Sequence, residues 1–331
     1  MSTGAKVDGV LVQWGERLFY PGNRTVRSAT PRLSGSVGQR AAAIRRHIRA
    51  TVIYRAPQVM VKVTGGGRGM AAIVAHFRYI SKNGRLQFED DRGVIREGKE
   101  ALHDLAEQWR HGGSFIDERT PRREALNIML SMPRGTDSLI VQRAAREFAA
   151  TELSDHRYVM VLHDHQANPH VHISVRAESR HGKRLNPRKA DLQRWRETFA
   201  EKLRGWGIEA EATRQATRGV SRNYGPIWHV KAEADGRLRA SRAPEKSGDG
   251  FLRSQALALH AWSRIIEGLA QSDSAEDRAL AARVDRFVRM TPFAVEQVRQ
   301  REKAREQQQP GRVQEVQCVA TKLRTDPEIE R

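Results

Sequence analysis

The sequence predicts an α+β fold: a central, mainly antiparallel sheet with flanking helices, followed by a small C-terminal all-α module. Three observations predict it. Short β-branched or alternating runs recur at 58–63, 125–132, 158–162 and 171–176, as half-buried strands do. Apolar residues at helical spacing fill the stretches between them. Past residue 250 only the helical period remains. A length of 331 residues suits about two domains, at roughly 150 residues each.

Residues 1–56 hold ten Arg/Lys against two acids, a local charge of +8, among Gly, Ser, Pro and Thr. This composition reads as a basic, mostly disordered arm, with room for a short helix around 38–50. A globular domain is expected over 57–225. It opens with a strand at Gln58–Val63 and a turn, Thr64-Gly65-Gly66-Gly67-Arg68-Gly69. A helix from Met70 to about Ser81 stops at Asn83-Gly84, and a second covers 97–110. A strand follows at Ala125–Met132, then a helix capped by Thr136 and running to Glu152.

Two strands, Tyr158–Leu162 and Val171–Arg176, are joined by a polar loop containing Asn168-Pro169. Asn186-Pro187 then reads as N-cap and first position of a helix. Its apolar stripe is Leu192, Trp195, Phe199, Leu203 and Trp206, closed by Gly205 and Gly207. A linker at 226–249 is rich in charge, Gly, Ser and Pro. The module at 250–306 shows three helices. Leu252, Leu259, Trp262, Ile266 and Leu269 mark the first; Leu280, Val284, Phe287 and Val288 the second; Thr291-Pro292 starts the third. The polar tail at 307–331 is expected to be disordered.

The net charge is +19, with 47 Arg and 11 Lys. A small-molecule enzyme has no need of such an imbalance. It suits a polyanion, because each cation placed on a phosphate releases a counterion and the Arg fork grips phosphate at two points. A merely solvated basic surface would share the composition. One cysteine, Cys318, excludes an intramolecular disulfide framework and a Cys-based zinc finger. No apolar run reaches a membrane span, and the first residues lack the apolar core of a signal peptide. A soluble, cytosolic-type protein without membrane insertion is expected.

The strongest chemical signal is His163-Asp164-His165-Gln166-Ala167-Asn168-Pro169-His170-Val171-His172. Side chains alternate across a strand, so His170 and His172 share a face and Val171 takes the other. His163 ends the preceding strand, and a hairpin would bring it opposite that pair. Three imidazoles can then converge on one divalent cation. Tyr79 is the second signal. It falls almost opposite the apolar face of Met70, Ile73, Val74, Phe77 and Ile80, presented to something other than the core; periodicity alone also allows a simply exposed tyrosine. The glycine turn lets backbone approach a ligand, and the helix after it has an anion-favouring N-terminus. No Gly-Lys-Ser/Thr follows, so it is not a nucleotide P-loop, and a plain tight turn explains it as well. Ser131, at a strand end before Met132-Pro133, is a weaker candidate.

Taken in order, these segments resemble the motifs of conjugative relaxases, the mobilisation type related to the T-DNA border endonuclease. Thr64–Gly69 with Ala75-His-Phe-Arg-Tyr-Ile-Ser-Lys-Asn-Gly84 resembles their first motif, whose tyrosine nucleophile corresponds to Tyr79. Leu130-Ser131-Met132-Pro133 is similar to the second, whose serine contacts DNA near the nick. The histidine cluster resembles the third, the His-hydrophobe-His signature, with His163, His170 and His172 as metal ligands. Residues 184–193 and 212–219 look like the downstream part of such domains, so the resemblance covers roughly 57–222.

The resemblance implies a relaxase-like sheet fold and site- and strand-specific nicking at a transfer origin, with Mg²⁺ or Mn²⁺ as cofactor. Arg68, Arg78, Ser131 and Arg184 would contact DNA. It further implies single-stranded or origin DNA as partner, with the accessory and coupling proteins of a conjugative system. The location would be the bacterial cytoplasm, with passage alongside the DNA into a recipient cell allowed. One position departs from the pattern. The family's acid two residues after the first histidine is His165 here, and Asp164 sits one step earlier. Either could be the proton acceptor or lie behind the metal ligands. Two alternatives use the same residues: another His-hydrophobe-His nuclease, such as a rolling-circle initiator or transposase, or a non-catalytic origin-binding accessory protein.

Overall fold

The computed structural model describes residues 3–20, 33–166, 168–220, 236–237 and 248–307. They fall into two compact units, residues 11–213 and residues 1–10 with 214–331.

The first unit is built on a six-stranded sheet. Its strands are β1 (Met60–Gly65), β2 (Phe88–Asp90), β3 (Ile95–Arg96), β4 (Ala125–Ser131), β5 (Tyr158–His163) and β6 (His170–Arg176). They lie in the order β1-β4-β6-β5-β2-β3, and every neighbouring pair is antiparallel. Strand alternation sorts the side chains into two cores. Leu126, Ile128 and Leu130 of β4, Tyr158 and Met160 of β5, and Val171, Ile173 and Val175 of β6 face α5 (Ser138–Glu152) and α6 (Lys189–Gly205). There Phe148, Trp195, Phe199 and Leu203 cover them.

The opposite face receives α3 (Met70–Ile80) and α4 (Lys99–His111). Met70, Ile73, Phe77 and Ile80 pack with Leu102, Leu105, Trp109, Val159 and Val161. Phe77 meets Trp109 edge-to-face at 4.9 Å. Burying a side chain of this size stabilises by about 1.5–3 kcal/mol, whereas helix propensities differ by only about 0.7 kcal/mol per residue. The apolar stripe therefore decides how α3 is rotated, and it turns Tyr79 outward.

The glycine turn has a packing explanation. Gly67 donates its N–H to Ala125 O at 3.1 Å and accepts from Glu124 N at 2.8 Å. Gly69 has φ +92°, and a Cβ there would overlap Glu118 O. Met70 N and Ala71 N donate to Asp117 O and Glu118 O at 3.0 and 3.2 Å. These α3 N–H groups are thus already satisfied by backbone, and the turn is a tight turn rather than an anion cradle.

Several sequence expectations are corrected. Where described, residues 1–56 are not a disordered arm but two helices, α1 (Thr3–Phe19) and α2 (Val37–Val52). Leu11, Leu18, Phe19, Ala41, Ile44 and Ile48 are buried, and Gly15 leaves room for Ile44, which a Cβ would strike. Ser36 and Gln39 close a capping box on α2. Residues 21–32 lie outside the described residues. Asp137, not Thr136, caps α5, accepting from Leu139 N at 2.8 Å. Asn186-Pro187 does not open α6. Leu185 N is still bound to Ala177 O at 2.7 Å, and the helix starts only where Asp191 accepts from Arg188 N at 2.8 Å. β2 and β3, of three and two residues, are too short to show a period.

The second unit carries α7 (Asp249–Ala270), α8 (Ala275–Arg289) and α9 (Pro292–Gln307), the three helices expected over 250–306. Trp262 of α7 donates Nε1–H to Thr217 O at 2.9 Å and meets Phe287 at 5.9 Å. Most of the expected linker at 226–249, and the tail beyond 307, lie outside the described residues. Among the described residues, no helix is long and apolar enough to cross a membrane.

Candidate active site

The site forms where β5 and β6 adjoin the C-terminal end of α3. The β5–β6 register sets His163 directly opposite His170 and Val161 opposite His172. All three imidazoles therefore project to the α3 side of the sheet. Their ring centroids are 5.0 Å apart for His163–His170, 4.7 Å for His163–His172 and 5.0 Å for His170–His172. One ring nitrogen from each lies within 4.8 Å of the others.

Hydrogen bonds set which nitrogens carry lone pairs. His163 Nε2–H donates to Ile80 O at 2.6 Å, so its buried Nδ1 is a bare acceptor with no partner. His170 Nδ1–H donates to Asn168 O at 2.9 Å, which leaves Nε2 free of a proton. His172 Nδ1 is likewise buried and unpartnered. Burial holds all three below the ordinary imidazole value, His172 down to about 3. Three neutral imidazoles with orphaned ring nitrogens make a donor set that fits a divalent cation.

Tyr79 is 63% exposed, and its ring lies 6.3 Å from that of His172. Ser131 ends β4 opposite His170 and donates to Pro169 O at 3.4 Å. His165 lies beside the triad, its ring 5.2 Å from that of His163, and Asp164 approaches it at 4.0 Å. Arg68, before α3, and Arg78, on α3, are exposed. The structure does not bring Arg184 to this group. It sits past the far end of β6, where its guanidinium holds Glu124 at 3.3 Å, Glu178 at 3.6 Å and Arg123 O. Its fork is committed to those groups.

Three residues of the site were not singled out from sequence: His76, Ser174 and Asn127. His76 precedes Tyr79 by three on α3 and so shares its side of the helix. Its Nδ1 bonds Ser174 Oγ at 2.7 Å, and Ser174 Oγ donates to Asn127 Oδ1 at 3.2 Å. Burial pushes His76 down to about 4. A signal was present in the alternation, since Ser174 follows His170 and His172 on one face of β6.

Residues 79–208 match the family model described as Relaxase: MobA/VirD2-like, nuclease domain. The T-DNA border endonuclease VirD2 of Agrobacterium fabrum is 26% identical over 195 residues, which cover 53% of this chain and 43% of that protein. The protein of the same name from Rhizobium radiobacter is 25% identical over 206 residues, 56% of this chain and 48% of its own length. The chain thus spans less than half the length of these relatives.

Proposed function

We propose that this chain nicks one strand of single-stranded or extruded origin DNA, a reading supported by the match of residues 79–208 to the MobA/VirD2-like relaxase nuclease domain. Tyr79 is the nucleophile. The observation that carries this reading is the convergence of three neutral imidazoles beside an exposed tyrosine on one side of the sheet.

His163, His170 and His172 would hold the metal, with Nδ1 of His163 and Nε2 of His170 as the lone-pair nitrogens available to it. A bound Mg²⁺ or Mn²⁺ supplies neutralisation of the scissile phosphate and polarisation of its phosphorus; imidazole ligation favours Mn²⁺ on softness. The Tyr79 oxygen attacks in line, and the bond to the 3′ oxygen breaks. A 5′-phosphotyrosyl ester and a free 3′-hydroxyl result. The ester keeps the energy of the broken bond, so the same site can religate without ATP. Arg68 and Arg78 provide phosphate contacts, and Ser131 contacts the strand near the nick. The reading implies accessory and coupling proteins of a transfer system as partners, with the 250–306 helices available to bind them.

Purified protein incubated with Mn²⁺ and labelled single-stranded oligonucleotides tiling a candidate origin should yield an SDS-resistant adduct on one strand. Tyr79→Phe and EDTA should each remove it. Retained DNA binding with no adduct on any oligonucleotide would instead favour a non-catalytic origin-binding protein.

A further inference from the structure

We propose that His76, fixed by Ser174 and Asn127, is the group that accepts the phenolic proton of Tyr79 when that oxygen becomes the nucleophile. This rests on the reading of Tyr79 as the nicking residue and assigns a role that His165, in the position of the family's acid, does not fill.

The hydrogen-bond chain sets the chemistry. Ser174 gives its hydroxyl proton to Asn127 Oδ1 at 3.2 Å, so toward His76 its oxygen can only accept. The His76 proton therefore sits on Nδ1, and Nε2 keeps a lone pair. Position then selects this ring over the other histidines. Tyr79 has two ring neighbours among the described residues, His76 at 6.3 Å and His172 at 6.3 Å. His172 is spoken for as a metal ligand. His165 has its ring contact with His163 at 5.2 Å and none with Tyr79, and the Asp164 side chain is 62% exposed with His165 beside it. His76 lies one helical turn before Tyr79, and the exposed tyrosine is not locked by packing. Distances in a ligand-free site commonly tighten once substrate is bound.

The step balances. The Tyr79 O–H bond breaks and its proton passes to His76 Nε2. The phenolic oxygen forms the bond to phosphorus, and the 3′ oxygen departs with the electron pair of the P–O bond and takes a proton from water. The imidazolium left behind still donates Nδ1–H to Ser174, and the nearby phosphate charge favours it. On religation the 3′-hydroxyl gives its proton back to solvent as its oxygen bonds phosphorus, and the tyrosine oxygen leaves with the electron pair of its P–O bond and recovers the proton from His76.

The test is single-turnover cleavage by the full chain of the labelled strand identified above, with Mn²⁺, comparing wild type and His76→Asn. Asparagine can still donate to Ser174 but has nothing in place of Nε2. Cleavage should fall about 10²- to 10⁴-fold, the usual contribution of a positioned base, with strand binding and Mn²⁺ affinity retained. Trifluorotyrosine at position 79, a more acidic phenol, should recover most of that loss in His76→Asn. A purely structural role would leave the loss unchanged by fluorination, and that result overturns the assignment. Cleavage by His76→Asn at the wild-type rate overturns it too. Failure of the wild type to form any adduct overturns the nuclease reading and this assignment with it.

Discussion

Replacing His170 by alanine should abolish nicking while strand binding survives. His170 faces His163 across the β5–β6 ladder, and its Nε2 is left as a lone pair by the Nδ1 bond to Asn168 O. Without it, two imidazoles remain, too few to hold a hard divalent cation against water. Removing groups that merely orient metal ligands commonly costs about 10- to 100-fold in affinity or activity, so loss of a ligand should exceed about 100-fold. The exposed Arg68 and Arg78 are untouched by the change, which keeps phosphate affinity. Calorimetric titration with Mn²⁺ and a gel shift on the same preparation separate the two effects. Nicking within a few-fold of wild type, with Mn²⁺ affinity unchanged, would remove His170 from the ligand set.

The second large effect concerns stability. His47 of α2 donates Nδ1–H to Glu211 at 2.7 Å and accepts from the Tyr20 hydroxyl at 2.6 Å through Nε2. Arg46 also reaches Glu211, at 3.2 Å. Glu211 is 1% exposed. Glu211→Ala would leave His47 and Arg46 without this buried partner, and breaking a buried pair from one side costs about 3–5 kcal/mol. That should lower the thermal midpoint by roughly 6–20 °C in a unit of this size. An unpacked N-terminal arm predicts almost no change.

The pH dependence has a definite sign. Burial holds His47 below its ordinary 6.5, so once pH falls below 6.5 the unfolded chain binds more protons and stability drops. Burial acts to raise the Glu211 carboxyl, but the His47 hydrogen bond and the charges of His47, Arg46 and Arg204 outweigh it and hold it below 4.5. Its contribution is present above 4.5 and is lost as pH falls further. Burial, with the charges of Glu197 and Glu211, raises the Tyr20 phenol above its usual 10, so stability also declines once the unfolded tyrosine ionises. Thermal midpoints should form a plateau between about pH 6.5 and 10. Glu211→Ala should remove the further loss below pH 4.5 but not the loss that begins at 6.5, because the Glu211 hydrogen bond and charge act to raise His47 against burial.

The same network shows where the sequence was hard to read. Composition pointed to disorder in residues 1–56, but the spacing of Val7, Leu11 and Leu18 is helical, and these residues are buried. Arg and Gly between them masked the period. Glu211, the buried carboxylate that anchors α2, lies 164 positions from His47, which no local pattern reveals. The sheet's central strands and α3 through α6 were legible because each buries a long periodic face. β2 and β3 were not, since pairing, of β2 with β5 and of β3 with β2, rather than local pattern makes them strands.

At the site, the histidines were legible because period-2 alternation and a hairpin suffice to gather them. Tyr79 was legible as the side chain off the stripe. Arg184 was expected on DNA from the resemblance of the 184–193 segment, which says nothing about whether its guanidinium is already paired, as it is here with Glu124 and Glu178. His76 stood inside a segment quoted for its tyrosine. Its partners Ser174 and Asn127 come from two strands far along the chain, and only the β4–β6 register, which sets Asn127 opposite Ser174, unites them.

The most direct test of the central claim is to locate the covalent bond. An adduct formed with Mn²⁺ should be digested with nuclease and trypsin and sequenced by mass spectrometry. The nucleotide is expected on Tyr79, in the peptide Tyr79–Lys82, linked through a 5′-phosphate and absent after EDTA. A nucleotide on any other residue, or an adduct that forms equally well without divalent metal, would contradict the account.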